Sequence, residues 1–208
     1  CALFAAITSK PKEEAEAELV PELQGKGLVY RSPIVRLRQK FDLYVNLRPC
    51  KAFKGNDLNY RDDIDLVVFR ENTQGLYAGV EFHPLPDEVR AVLEAHNPNM
   101  KAFQGVDGKD IALSTRIFTR QGCQRIVRAA FEYADRFGYP TVTLVEKPNV
   151  IRETSGLMVR EARKISESFP EIELWETNVD AMAMWLVKNP QDYGVLVASN
   201  MFGDIVSD

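Results

Sequence analysis

Arg120-Gln-Gly-Cys-Gln-Arg-Ile-Val-Arg-Ala-Ala-Phe-Glu-Tyr-Ala-Asp-Arg-Phe-Gly138-Tyr-Pro140-Thr-Val-Thr-Leu-Val-Glu146 is the stretch on which the fold turns. Its first part predicts a long amphipathic helix over about 120–137, which Gly138 and Pro140 end. Its last part, 141–146, predicts a short strand with the apolar stretch Val142 to Val145. The alternation continues toward the C-terminus as a helix at about 155–168, a strand at 172–176, a helix at about 180–188 and a strand at 194–198. Toward the N-terminus, Ala2 to Ile7 reads as a buried strand, Ser32 to Lys40 as a helix, and Asp42 to Leu47 as a strand closed by Arg48-Pro49. Asp65 to Phe69 and 111–116 read as further strands. Strands interleaved with helices imply an α/β fold with helices covering a mixed or parallel sheet. Residues 80 to 109, with Pro84, Pro86, Pro98, Gly105 and Gly108, read as an irregular arm.

Composition narrows the function classes. The 208 residues are 45% hydrophobic and 27% charged, ordinary for a globular chain. A net charge of −4 argues against a general nucleic-acid binder, which needs a basic face. No apolar run is long enough to span a membrane. Three cysteines, Cys1, Cys50 and Cys123, lack C-x-x-C spacing and indicate neither a disulfide framework nor a zinc site. That usage fits a reducing compartment, so the expectation is a cytoplasmic protein, or one of the mitochondrial matrix in a eukaryote. No G-x-G-x-x-G follows a strand, so a nucleotide would have to bind by some route other than the Rossmann phosphate turn. The chain opens on Cys and stops at Asp208, and the expectation is a piece of a longer protein.

The chemistry-bearing residues fall at segment edges. In Asn200-Met-Phe-Gly-Asp204-Ile-Val-Ser-Asp208 two carboxylates stand four apart after a strand and a glycine turn. A helix starting near Gly203 would put both on one face, where hard oxygen donors suit Mg²⁺ or Mn²⁺. Arg38, Arg48 and Arg70 sit where guanidinium heads could meet at one rim and grip a di- or tricarboxylate. Structural ion pairs are the alternative reading of all three. Tyr77 follows a polar turn and is either a rim aromatic or a proton donor. Lys147 closes a strand at the end where open α/β sheets bind ligands, as a solvated cap or a base. Asp180 most simply stabilises a helix N-terminus. Met182, Met184 and Trp185 read as core or subunit interface, and His83 and His96 are assigned nothing.

Five runs, in this order, resemble the β-decarboxylating dehydrogenases that act on isocitrate, 3-isopropylmalate, homoisocitrate and related acids. They are Leu37 to Pro49, Phe69-Arg-Glu-Asn-Thr-Gln-Gly-Leu-Tyr77-Ala-Gly79, Lys147-Pro-Asn149-Val150, Val179-Asp180-Ala-Met182 and Asn200 to Asp208. The resemblance implies the metal-dependent dehydrogenase fold and its oxidative decarboxylation of a 2-hydroxy acid with NAD or NADP. It implies that Arg38, Arg48 and Arg70 bind substrate carboxylates and that Tyr77 is the general acid. It implies that Lys147, from a neighbouring subunit, helps remove the hydroxyl proton, and that Asp204, Asp208 and the neighbour's Asp180 hold Mg²⁺ or Mn²⁺. Asn149 would lie near the nicotinamide and Thr8 beside the cofactor path. A shared site of this kind requires at least a homodimer.

Ser32, six residues before Arg38, matches the isocitrate pattern, whereas Ile34 departs from it and leaves isopropylmalate and homoisocitrate open. Isocitrate is favoured. Some relatives are non-catalytic regulatory subunits, and the survival of all eight principal positions here favours a catalytic one. The resemblance also divides the chain into 1–43, a remnant of the large cofactor-side domain, and 44–208, most of the small substrate and dimer-forming domain. On that division the 208 residues alone are expected to have negligible activity.

Overall fold

A computed structural model describes residues 12–15, 17–28 and 33–208. Its elements in chain order are α1 (Lys12–Ala15), α2 (Pro33–Lys40), β1 (Val45–Lys51), β2 (Asp65–Glu71), β3 (Glu81–Phe82), α3 (Asp87–His96), β4 (Leu113–Ser114) and α4 (Arg120–Phe137), followed by β5 (Thr141–Glu146), α5 (Thr154–Ser166), β6 (Glu173–Asn178), α6 (Val179–Lys188), β7 (Val195–Ala198) and α7 (Asn200–Ser207). They fall into two compact units, Cys1–Tyr44 and Val45–Asp208. The expected strand Ala2 to Ile7 lies outside the described residues. In the first unit α2 spans Pro33–Lys40, with the proline at its first position, where no intrahelical donor is lost.

The second unit is built on a five-stranded sheet in the order β1-β2-β7-β5-β6. β2, β7, β5 and β6 run parallel and β1 pairs antiparallel with β2 at the edge. Strand alternation divides the apolar residues between two faces. Val67, Phe69, Val142, Leu144, Val195 and Val197 pack against α4 and α5, through Ile126, Val127, Phe131, Met158 and Ala162. Leu66, Val68, Val145, Leu196 and Ala198 pack on the other side with Met182 of α6 and Phe202 of α7. The chain leaves β5 outward to β6 through α5 and returns past β5 to β7 through α6. Right-handed crossovers demand that the helix change faces when the direction of travel reverses, and these two helices do.

α4 starts where Thr119 caps it, its Oγ1 accepting from the Gly122 amide at 3.0 Å, and it ends on Gly138 in the left-handed conformation. Four expectations need correction. The strand closed by Arg48-Pro49 instead runs through both residues to Lys51, because β1 is an edge strand and an edge tolerates the donor that Pro49 lacks. The arm at 80–109 contains a ten-residue helix, α3, which the prolines flank rather than interrupt, with Asp87 and Glu88 favourably placed in its first turn. The strand at 111–116 is only the two-residue β4, because its partner β3 offers just Glu81 and Phe82. The helix expected near Gly203 starts at Asn200, so Gly203 lies inside α7.

Candidate active site

Arg48 and Arg70 share a face because of sheet register. Asn46 lies opposite Arg70 and Arg48 opposite Val68. Residues 46, 48, 68 and 70 therefore point to the same side, the side on which Val68 packs beneath α6 and α7. On that side α7 presents Asp204 and Asp208 one turn apart. Arg48 donates from Nη2 to Asp204 Oδ1 at 2.9 Å, and from Nη1 to Asp208 Oδ1 and Ser207 Oγ, each at 2.7 Å. Arg70, only 2% exposed, pairs with Asp204 through Nη1. Its other edge is held by Asn200, whose Oδ1 accepts from Nε at 3.0 Å and from Nη2 at 2.8 Å. The Asn200 amide in turn donates to the Gln74 carbonyl at 3.1 Å, so the grip on Arg70 is itself anchored.

α7 reaches this depth through Gly203. A Cβ there would stand 2.7 Å from both Cβ and Cγ of Arg70 and 3.1 Å from its Cα. The glycine is required for close approach of helix to strand rather than for a turn.

Tyr77 joins the same cluster. It follows Gly75, whose φ of 85° and ψ of −149° belong to a region open only to glycine. The turn aims the phenol so that it donates to Asp204 Oδ2 at 3.0 Å, with the Arg70 guanidinium 5.3 Å from the ring centre. Burial, the hydrogen bond to Asp204 and its negative charge hold the Tyr77 phenol above its ordinary pKa. It therefore keeps its proton at neutral pH.

Lys147 and Asp180 form a second centre. Lys147 follows the last residue of β5, and its Nζ pairs with Asp180 Oδ1 in the first turn of α6. Asn178 holds the N-cap position without a side-chain hydrogen bond to the helix, and Asp180 is an acid of the first turn rather than the cap itself. The hydrogen bond from Lys147 holds the Asp180 carboxyl below the usual carboxylate range. Among the described residues no three His, Cys, Asp or Glu side chains gather as a cation set, so within one chain Asp180 does not complete the pair on α7. Asn149 lines a cleft of about 260 Å³ with Pro148, Glu176, Thr177 and Asn178, at the C-terminal ends of β5 and β6.

Arg38 lies on α2 in the first unit, while the other described candidates lie in the second. Ser32 and Thr8 lie outside the described residues. Reading the chain residue by residue missed Asn200 as the holder of Arg70, and it missed a buried pair, Arg116 and Glu146. Asn200 stands inside a run the sequence had singled out. Glu146 carries the stronger signal, a carboxylate ending a strand that otherwise has no charge.

The sequence profile of the isocitrate/isopropylmalate dehydrogenase family matches residues 8–208. The chain belongs to this family. Protein DlpA of Legionella pneumophila is 37% identical over 206 residues, covering 99% of this chain and 32% of that protein. The 3-isopropylmalate dehydrogenase of Methanothermobacter thermautotrophicus is 38% identical over 97% of this chain and 54% of its own length. The crystal structure of isocitrate dehydrogenase from Methylococcus capsulatus superimposes with a TM-score of 0.73 at 42% identity, over 88% of this chain and 48% of that one. The chain thus spans about a third to a half of the relatives it matches. The family fold, a non-Rossmann α/β sheet covered by helices, is the one described above. Membership in the isocitrate/isopropylmalate dehydrogenases makes the protein a relative of oxidoreductases. No described helix is long and apolar enough to cross a membrane.

Proposed function

We propose that the protein carrying this chain is an NAD- or NADP-dependent dehydrogenase that oxidatively decarboxylates a 2-hydroxy di- or tricarboxylic acid, isocitrate first among them. The observation that carries this reading is the meeting of Arg48, Arg70 and Tyr77 with the two acids of α7 at one rim of the sheet. Arg70, its plane set by Asn200, and Arg48, reached from the neighbouring strand, pair here with Asp204 and Asp208, and they are the guanidiniums proposed to meet the substrate carboxylates. Arg38 is the third of these arginines and Ser32 the partner of an additional carboxylate. Tyr77 holds its phenolic proton beside the same cluster and delivers it to the carbon from which CO₂ has left. Lys147, offered by a second copy of the chain, helps to remove the substrate's hydroxyl proton.

The donor set on α7 fits a hard divalent cation. Asp204 and Asp208 supply carboxylate oxygens one helical turn apart, and the third carboxylate, Asp180, is offered by a second copy of the chain. Mg²⁺ or Mn²⁺ held there would stabilise negative charge on the substrate oxygen as CO₂ departs, and the nicotinamide would take the hydride. Asn149, in the cleft beside Lys147, and Thr8 are the residues of this chain proposed to face that cofactor. A homodimer with two shared sites follows, and the small substrate needs neither nucleic acid nor membrane. Localisation in the cytoplasm, or the mitochondrial matrix of a eukaryote, belongs to the same proposal.

The test is a nicotinamide absorbance assay of the full-length protein with Mn²⁺, both nucleotides, isocitrate and 3-isopropylmalate. Turnover of isocitrate in preference to 3-isopropylmalate is the expected result. Failure to oxidise any 2-hydroxy acid overturns the reading. A second reading, 3-isopropylmalate, is favoured by Ile34 on α2, an apolar residue able to receive an alkyl group, and the same assay decides between them.

A further inference from the structure

Glu146, the last residue of β5, is 1% exposed and accepts three hydrogen bonds from three different segments. Its Oε1 accepts from the Ser199 amide at 3.0 Å, and its Oε2 accepts from Ser155 Oγ at 2.6 Å and Arg116 Nη2 at 3.0 Å. Arg116 lies between β4 and α4 and donates onward to Ser199 Oγ at 2.7 Å and Ser155 Oγ at 3.0 Å. Its guanidinium packs between Phe118 and Phe202, at 4.5 and 4.7 Å from the ring centres. Ser199 caps α7 without a side-chain hydrogen bond to the helix, and its amide and hydroxyl are engaged by Glu146 and Arg116.

A buried ion pair is a poor stabilising device, since desolvating both charges offsets most of their attraction. Its placement is the informative part. Glu146 immediately precedes Lys147, whose amide also donates to Ser155 Oγ at 3.4 Å, and Ser199 immediately precedes Asn200, which orients Arg70. Through the hydrogen bonds of Ser199 to both of its members, this ion pair ties the strand end bearing Lys147 to the start of the helix bearing Asp204 and Asp208.

We infer that Glu146 and Arg116 are positioning residues that lock the origin of α7 to the end of β5, and so set the spacing between the two catalytic centres of one subunit. If those centres serve different sites of a dimer, the lock joins the two sites. Its consequence for turnover rests on the dehydrogenase reading. The lock itself does not.

Two measurements test it. Hydrogen exchange by mass spectrometry is run on the full-length protein and on its Glu146→Gln variant. Segments 147–150 and 199–204 should exchange roughly tenfold faster in the variant, while 123–134 of α4 stays unchanged. Unchanged exchange in either of the first two segments, or equal loosening of α4, overturns the inference. In the full-length enzyme, Glu146→Gln should lower kcat by about 10- to 100-fold with KM within about threefold, as a small misplacement of reacting groups does. The double variant E146Q/R116M, which removes both buried charges, should regain most of the thermal midpoint without regaining kcat. Recovery of kcat together with the midpoint would reduce the pair to a structural role and refute the inference. A wild type that turns over no 2-hydroxy acid while the exchange result holds would remove the dehydrogenase reading and leave the lock standing.

Discussion

At Gly203 a single missing methyl group decides how close α7 comes to β2. Gly203→Ala would drive a Cβ into the Cα and Cβ of Arg70, atoms that cannot rotate away. The expected cost is about 1–3 kcal/mol of stability, measured by urea denaturation, together with a loss of turnover larger than that destabilisation explains. Cys123 offers a pH signature at the same scale. Burial, with the nearby Glu146, Glu161 and Glu71 charges, pushes its thiol up to about 12, from 9.0 for the free group. A raised folded pKa means that the native state keeps the proton when the unfolded chain has lost it. That contribution is intact below pH 9 and fades as pH rises toward 12. The stability difference between wild type and Cys123→Ala should fall by up to about 1.4 kcal/mol per pH unit in this range. A flat difference would contradict the burial argument. The phenol of Tyr77 matters differently. Tyr77→Phe keeps the ring over Arg70 and removes only the proton, so kcat should drop about 100-fold or more with KM little changed.

Elements carry the next level of the argument. Thr119 serves two elements at once, accepting from Gly122 at the start of α4 and from Gln74 Nε2 at 2.9 Å in the turn that leads to Tyr77. Thr119→Ala should therefore cost about 0.5–2 kcal/mol in denaturation and slightly misplace Tyr77. Helix and strand identities from 120 to 198 were legible because the local periodicities agree with burial on both faces of the sheet. The arm was not. The prolines around α3 suggested irregularity, yet each stands outside the helix and costs it nothing. Pro49 misled in the opposite sense, because the sequence does not say that β1 is an edge strand.

For the whole molecule, the separation of the Lys147–Asp180 pair from the Asp204 cluster leads to a mixing experiment. Tyr77→Phe and Lys147→Met subunits of the full-length enzyme should each be nearly inactive. Refolded together, they should recover about one quarter of wild-type activity, because half of the dimers then hold one intact site. No recovery would mean that both centres serve one site within one chain.

The sequence by itself determined the alternating elements and the family, and it named the residues proposed to carry chemistry, because periodicity and motif order are local properties of the chain. Only the tertiary structure decided which of them meet. Register placed Arg48 beside Arg70, and Gly203 let α7 descend onto them. The reversal of the crossover put α6 and α7 on one face while leaving Asp180 with Lys147. A pair four apart on a helix predicts a shared face, but the partner that face meets depends on strand order. Strand order is set by how two layers of helices cover one sheet, which no segment of the chain encodes alone.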